Sequence, residues 1–169
     1  VSDCRPLRES KGYLYEGGIR VPMIVRWPGE VKPDTLCDTP VISMDFYPTF
    51  LEVADLNSGK QPIDGESLVQ LFKQGGELKR KAIYFHYPNY AWHMGNRLGS
   101  AVRAGDWKLI RNYDDNSLEL YNLSKDLSEK RNLAQQQPKL AARLNRKLSA
   151  WLKETGAPMP RPPKPAKAN

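Results

Sequence analysis

The apolar and polar positions in the first part of the chain follow the pattern of an α/β structure. Residues 21–27 (VPMIVRW) form a short apolar run that a Pro-Gly pair ends, which is typical of a buried strand followed by a turn. Residues 40–43 predict a brief extended segment, and apolar side chains recur at helical spacing over residues 46–54. Asp45 stands where its side-chain oxygen can cap this helix. A strand, an extended segment and a helix in this order predict an α/β domain.

The pattern changes after a second, short helix. The apolar positions of residues 68–72 predict that helix, and Gly75 and Gly76 end it. Residues 82–87 (AIYFHY) are then rich in aromatic and β-branched side chains, which predicts a strand. Residues 100–123 contain three extended runs separated by two polar turns. Together with the first strand, these runs predict a four-stranded antiparallel sheet.

A helix is predicted over residues 138–154. Its leucine and tryptophan side chains lie on one stripe and its basic side chains on the opposite one, so we expect it to cover one face of the sheet. The pattern therefore predicts three regions. Residues 1–76 would end an α/β domain, and residues 77–157 would form a subdomain of antiparallel sheet and helix. Residues 158–169 would be a disordered tail rich in proline and lysine.

The charge of the chain narrows the choice of partners. Its 169 residues carry a formal charge of +7, which would suit a polyanion. The basic excess lies mainly on one face of the helix over residues 138–154 and in the tail, which is more typical of a solvated surface. We therefore expect no nucleic-acid partner, and a non-catalytic basic module that binds sulfated polysaccharide stays an alternative function. No apolar stretch approaches the roughly 20 residues of a membrane span, so we expect none.

Residues 11–20 (KGYLYEGGIR) contain the first candidate site. The ammonium group of Lys11 is a compact charge that suits an anionic oxygen. Nearby glycines would let the backbone approach a ligand closely: Gly12, Gly17 and Gly18. From these residues alone, a solvated loop lysine stays the alternative. Glu16 is expected to cap backbone N–H groups or to pair with Arg20.

The two histidines are the second candidate site. His86 and His93 lie among aromatic residues (YFHYPNYAWH) at the end of a predicted strand, where they could line the rim of a substrate pocket. No partner acid accompanies them, so a packed or exposed histidine stays the alternative. Arg103 and Lys108 flank the first hairpin turn, and we expect their side chains to face water.

Several motifs occur in series along the chain. The stretch LRESKGYLYEGGIRVPMIVRWPG is followed by ISMDFYPTFLEVADL, by IDGESLVQLF, and by AVRAGDWKLIRN with LELYNLSKDLSEKRNLA. This series closely resembles the C-terminal portion of the formylglycine-dependent, arylsulfatase-like sulfatases of the alkaline-phosphatase superfamily. The resemblance covers nearly all of residues 6–152. It implies the end of an alkaline-phosphatase-like α/β domain followed by a smaller antiparallel sheet with a helix, as the pattern predicts.

The resemblance implies a role for Lys11. The matching lysine of these sulfatases contacts the substrate sulfate and stabilises the charge that develops as the ester bond breaks. Glu16 and Arg20 would hold the loop rather than touch substrate. The implied substrate is a sulfate ester of a carbohydrate or an aryl group, and the implied cofactors of the whole enzyme are Ca²⁺ and formylglycine. A phosphodiesterase or phosphonate hydrolase of the same superfamily is the enzymatic alternative.

Parts of the family's site are missing from this chain. Neither Cys4 nor Cys37 stands in the Cys-x-Pro-x-Arg motif that yields formylglycine, and Asp3 lacks the Asn-Gly of the family's calcium-binding Asp-Asn-Gly. We therefore assign no metal ligand in this chain and expect it to be inactive without the N-terminal catalytic part. Without that part, the first predicted strand would leave an apolar sheet edge unpaired. By family habit we expect a periplasmic or secreted protein.

Overall fold

The computed structural model describes residues 3–89 and 97–161. Contacts divide the chain into two compact units, one formed by Val1–Val21 with Ala82–Asn169 and the other by Pro22–Lys81. The second unit ends at Lys81, near the boundary predicted after residue 76. The residues up to Val21, which we grouped with the α/β part, instead share a unit with the sheet. For the longer protein, the domain division read from the sequence stays a prediction.

The sheet has four antiparallel strands in the order of the sequence, as predicted. Its strands are β1 (Ile83–Tyr87), β2 (Gly99–Ala104), β3 (Trp107–Asn112) and β4 (Leu118–Asn122). Ala104 lies opposite Trp107 in the first tight hairpin, whose turn contains Gly105 at φ 57°. Glycine reaches this left-handed region without the steric cost that a side chain would bring. The polar turn chemistry therefore fixes the register of neighbouring strands.

A long helix, Pro138–Glu154, covers one face of the sheet and confirms the predicted helix. Its buried residues Leu144, Leu148 and Leu152 pack against side chains of β2, β3 and β4. The rings of Tyr84 and Trp151 stack with centroids 4.8 Å apart and nearly parallel planes. The apolar stripe of the sequence is thus the stripe that is buried.

Residues from the N-terminal segment Val1–Val21 cover the opposite face of the sheet. Tyr15 is buried there in a cluster with Ala101, Ile110 and Tyr121, and Tyr13 and Leu14 pack against the same cluster. The short helix α1 (Glu16–Ile19) follows directly. The sheet is therefore a middle layer, with the long helix on one side and the segment around α1 on the other.

The unit Pro22–Lys81 contains the two other predicted helices. They are α2 (Phe46–Val53) and α3 (Val69–Phe72), so the long helix of the sheet unit is α4. A small core forms around Leu68, Leu71 and Leu78. Within the part of the chain that the structure describes, no helix is both long and apolar enough to cross a membrane.

Two local predictions for the first half of the chain are wrong. Residues 21–27 form no strand, and Val21 and Ile24 are 81% and 94% exposed. Among residues 3–89 and 97–161 no strand pairs with this segment, and an isolated strand leaves its backbone groups without a ladder. Asp45 precedes α2 but does not cap it: its carboxylate accepts hydrogen bonds from the backbone N–H groups of Ile42 and Glu66 and pairs with Arg80.

Candidate functional site

Lys11 lies in a tight loop that closes onto α1. The N–H of Gly17 donates to the carbonyl of Arg8 at 2.9 Å, and the N–H of Tyr13 donates to the carbonyl of Ser10 at 3.2 Å. Glu9 and Gly12, on either side of Lys11, both have positive φ, at 57° and 100°. The backbone therefore turns sharply before and after the lysine.

Gly17 and Gly18 bring the helix against this loop at van der Waals distance. A Cβ atom on Gly17 would lie 2.2 Å from the carbonyl oxygen of Glu9, and one on Gly18 would lie 2.1 Å from that of Tyr13. Real Cβ atoms do not approach oxygen so closely, so neither position has room for a side chain. The two glycines thus hold the backbone on both sides of Lys11.

The side chain of Lys11 is exposed. No hydrogen bond or ion pair of its ammonium group is found among the described residues. An exposed cation on a backbone that is held from both sides can bind an anion without first breaking an internal ion pair. This geometry suits the predicted role, which stays a prediction.

Glu16 lies directly below the loop, in a buried ionic cluster. Its carboxylate is 2.9 Å from the ammonium nitrogen of Lys108 and 3.6 Å from the guanidinium of Arg103. Lys108 also lies 2.9 Å from the carboxylate of Glu129, which accepts a hydrogen bond from the backbone N–H of Glu16 at 2.6 Å. Arg20 approaches Glu16 at 3.9 Å, at the edge of an ion pair. We name Glu16, Lys108 and Glu129 the anchor cluster.

The prediction that Lys108 faces water is wrong. Lys108 and Glu129 are fully buried, and Glu16 is 1% exposed. A buried ammonium group is tolerated when carboxylates neutralise it, and here two of them do so. Burial raises the pKa of the Glu129 carboxyl, and the Lys108 ammonium opposes that rise.

A second polar network fixes the same segment beside the anchor cluster. The guanidinium of Arg8 lies 3.8 Å from the centroid of the Tyr15 ring and donates to the hydroxyl of Tyr121 at 2.9 Å. The hydroxyls of Tyr15 and Tyr121 both donate to the carboxylate of Glu119. Burial, reinforced by this carboxylate, raises the pKa of both phenols, which therefore stay neutral donors.

The structure places His86 on the α4 face of the sheet. Its Nε2 lies 2.7 Å from the carbonyl oxygen of Pro158, and its Nδ1 lies 2.6 Å from the hydroxyl of Ser100. Because a carbonyl can only accept, Nε2 carries a proton and donates it to Pro158, while Nδ1 shares a hydrogen bond with the hydroxyl of Ser100. Both nitrogens are thus engaged within the chain, and the sheet separates His86 from the segment around α1. His93 lies outside the described residues.

The described residues do not fit a metal ion by themselves. Nowhere in residues 3–89 and 97–161 do three or more histidine, cysteine, aspartate or glutamate side chains form a group that could hold one. Asp3 is engaged by Arg5, and Cys4 and Cys37 form no disulfide.

The sequence alone missed Lys108 and Glu129. Strand alternation does place Lys108 on the same face of β3 as Ile110, but it cannot tell whether that face is covered. Glu129 follows β4 in a polar stretch without regular pattern, so nothing local marks it as buried. Both side chains are buried where the segment around α1 packs on the sheet.

Comparison with protein families matches residues 9–155 to the family described as N-sulphoglucosamine sulphohydrolase, C-terminal. A sulfatase from Formosa agariphila is 38% identical over 169 aligned residues, which cover 90% of this chain and 30% of that protein. The solved structure of Ps i-CgsB in complex with k-i-k-neocarrahexaose superposes with a TM-score of 0.71 at 29% identity, over 87% of this chain and 32% of that one.

Another similar solved structure contains a bound substrate. The structure of BT4656 in complex with its substrate D-glucosamine-2-N,6-O-disulfate has a TM-score of 0.55 and 30% identity, and the match covers 65% of this chain and 23% of that one. A phosphonate monoester hydrolase from Silicibacter pomeroyi has a TM-score of 0.57 at 21% identity, which is a likeness of fold alone. The chain spans about 30% of the length of the sulfatase from Formosa agariphila.

Proposed function

This chain belongs to the sulfatase family as a C-terminal portion, and on that premise we propose that the longer protein hydrolyses sulfate esters with Lys11 as a sulfate-binding residue. The observation that carries the proposal is the placement of Lys11. Its ammonium group is exposed, and its backbone is held on both sides by contacts of Gly17 and Gly18. This is the arrangement expected of a cation that must meet an anion without reorganising.

The chemistry proposed for Lys11 is electrostatic. As the bond between sulfur and the ester oxygen breaks, negative charge grows on the oxygen atoms of the reacting group. An ammonium group already aimed at one of these oxygens stabilises the transition state more than the ground state. Neither Cys4 nor Cys37 stands in the motif that yields the attacking formylglycine, so we expect the chain alone to be inactive.

The test replaces Lys11 with alanine in the full-length protein. Removing one preorganised donor from an oxyanion site typically lowers kcat by about 10²- to 10³-fold, and we expect a loss in this range for sulfate-ester hydrolysis. Lys60→Ala is the matched control, because Lys60 is also an exposed loop lysine but lies in the other unit. Wild-type kcat/KM in Lys11→Ala would refute the assignment.

We propose a sulfated carbohydrate as the substrate class. The substrate of BT4656, D-glucosamine-2-N,6-O-disulfate, supports this choice over an aryl sulfate. Turnover of sulfated glucosamine by the full-length protein, compared with 4-nitrophenyl sulfate under the same conditions, tests it. A much higher kcat/KM for the aryl ester would count against a sugar.

We also propose, from the family, that the longer protein uses Ca²⁺ and formylglycine and is periplasmic or secreted. Residues 3–89 and 97–161 contain no group of three or more potential ligands that could hold a metal ion, so we expect the Ca²⁺ ligands mainly in the remaining sequence. Metal analysis, peptide mass measurement of the cysteine-derived aldehyde and cell fractionation of the full-length protein test the three parts separately.

A further inference from the structure

We propose that Lys108 and Glu129 are positioning residues that, through Glu16, set the place of Lys11 in the sulfate site. The inference rests on the proposed role of Lys11 and extends it to residues far away in sequence. Neither residue is proposed to touch substrate, since both are fully buried. Their contribution would be to hold the loop that presents the ammonium group.

The mechanical link from the anchor cluster to Lys11 is short. Glu16 begins α1, and Gly17 and Gly18 follow it directly. These two glycines have no space between themselves and the loop backbone on either side of Lys11. A displacement of Glu16 must therefore displace the loop as well, because closely packed backbones transmit movement.

The anchor cluster gives Glu16 a single favoured position. Glu129 accepts the backbone N–H of Glu16, while Lys108 pairs with the carboxylates of both. Lys108 on β3 thus holds the side chain of Glu16, and Glu129 in the loop after β4 holds its backbone. A buried charge cannot move away from its partners without leaving them unpaired in a medium of low polarity. The cluster therefore defines one geometry rather than a range of geometries.

Charge balance explains why this arrangement can be buried at all. The ammonium group of Lys108 pairs with the carboxylates of Glu16 and Glu129, and the partly exposed guanidinium of Arg103 lies near the carboxylate of Glu16. Replacing a balanced buried cluster by apolar residues of similar volume often leaves stability unchanged. A cluster kept for positioning would then show its loss in catalysis rather than in folding.

The test uses the double variant Lys108→Met with Glu129→Gln in the full-length protein. It removes one positive and one negative charge, keeps side-chain volume, and leaves an amide oxygen that can accept the N–H of Glu16. The control is Lys130→Met, because Lys130 is adjacent to Glu129 in sequence but exposed. If the double variant does not fold, Glu129→Gln alone, which keeps the pair between Lys108 and Glu16, replaces it.

Two readouts are measured. The first is kcat in the wild-type and Lys11→Ala backgrounds, measured with whichever ester the full-length protein turns over faster, sulfated glucosamine or 4-nitrophenyl sulfate. A misplacement of about 1 Å can lower catalysis by about 10²-fold, so we expect a 10- to 100-fold loss in the wild-type background and less than threefold in Lys11→Ala. The second is amide hydrogen exchange, which we expect to rise about tenfold in residues 8–20 and to stay unchanged in α4.

The outcomes separate the inference from the proposed function. An equal loss of kcat in both backgrounds would show a general structural effect and overturn the positioning role. Unchanged exchange in residues 8–20 would overturn it as well, whichever ester the enzyme prefers. Faster exchange combined with full activity of Lys11→Ala would instead overturn the role of Lys11 in catalysis, while the anchoring of the loop would stand.

Discussion

The contact between Gly18 and the loop backbone leads to a sharp prediction. In Gly18→Ala the new Cβ would lie 2.1 Å from the carbonyl oxygen of Tyr13 and 2.7 Å from that of Ser10. Real Cβ atoms essentially never approach another atom closer than 3.0 Å, so the backbone must move by about 1 Å on the side of the loop that carries Lys11. Gly17→Ala brings its Cβ to 2.2 Å from the carbonyl oxygen of Glu9 and predicts the same displacement.

The magnitude has two parts. Overpacking of this kind typically costs about 1–3 kcal/mol, and weakening the hydrogen bond from Gly17 to Arg8 adds about 0.5–1.5 kcal/mol. The unfolding free energy should therefore fall by about 1.5–4.5 kcal/mol. If Lys11 is the sulfate-binding residue, the shift of about 1 Å should lower kcat/KM by about 10²-fold at temperatures where the protein stays folded.

The assay measures thermal unfolding and sulfate-ester hydrolysis of the full-length variants side by side. Gly75→Ala is the matched control, because its Cβ would meet nothing closer than 3.4 Å and Gly75 has no positive φ. It should behave like the wild type. If Gly18→Ala retained kcat/KM within threefold while remaining folded, the loop could relax without moving Lys11 and the reasoning would be refuted.

Two further predictions concern other residues. His86→Ala should leave KM within twofold of the wild-type value, because both ring nitrogens already form hydrogen bonds with Ser100 and Pro158. A tenfold rise in KM would instead support the substrate role predicted from the sequence. Hydrogen bonds from Ser117, and then the pairing with Arg97, lower the pKa of Asp115 from 3.8 to about 2. Because the carboxylate is favoured in the folded state, its contribution to stability is present above pH 3.8 and is lost as the pH falls towards 2. In chemical unfolding measured against pH, Asp115→Asn should remove this loss of stability at low pH. The same loss in the variant as in the wild type would contradict the prediction.

The anchor cluster and the Glu119 network hold the same segment by different means. Glu119 takes hydrogen bonds from two neutral phenols, whereas the anchor cluster relies on paired charges. Breaking a buried pair by removing one partner costs about 3–5 kcal/mol, which is why single charge removal at Lys108 confounds folding with function. The double variant keeps the charge balance, because Arg103 stays 3.6 Å from Glu16, and Glu129→Gln alone keeps the pair between Lys108 and Glu16.

The sequence determined those features whose causes are local. The stripe of apolar residues placed the helix at residues 138–154, and the hairpin turns set the order and register of the four strands. The motif around Lys11 placed the candidate sulfate-binding residue in a glycine-containing loop, and the resemblance to sulfatases identified the family. The helix and the turns depend on residues a few positions apart, where periodicity and turn chemistry act directly. The resemblance depends instead on a series of motifs spread over residues 6–152.

Only the tertiary structure decided the pairing and burial of side chains whose partners are distant in sequence. Asp45 could have capped α2, but its carboxylate instead accepts hydrogen bonds from Arg80 and from the N–H of Glu66. The apolar run at residues 21–27 needs a neighbouring strand to form one, and none among the described residues pairs with it. Lys108 is buried because Glu16, 92 positions away, and Glu129 neutralise it. Burial and pairing depend on the whole surroundings of a side chain, which no local pattern contains.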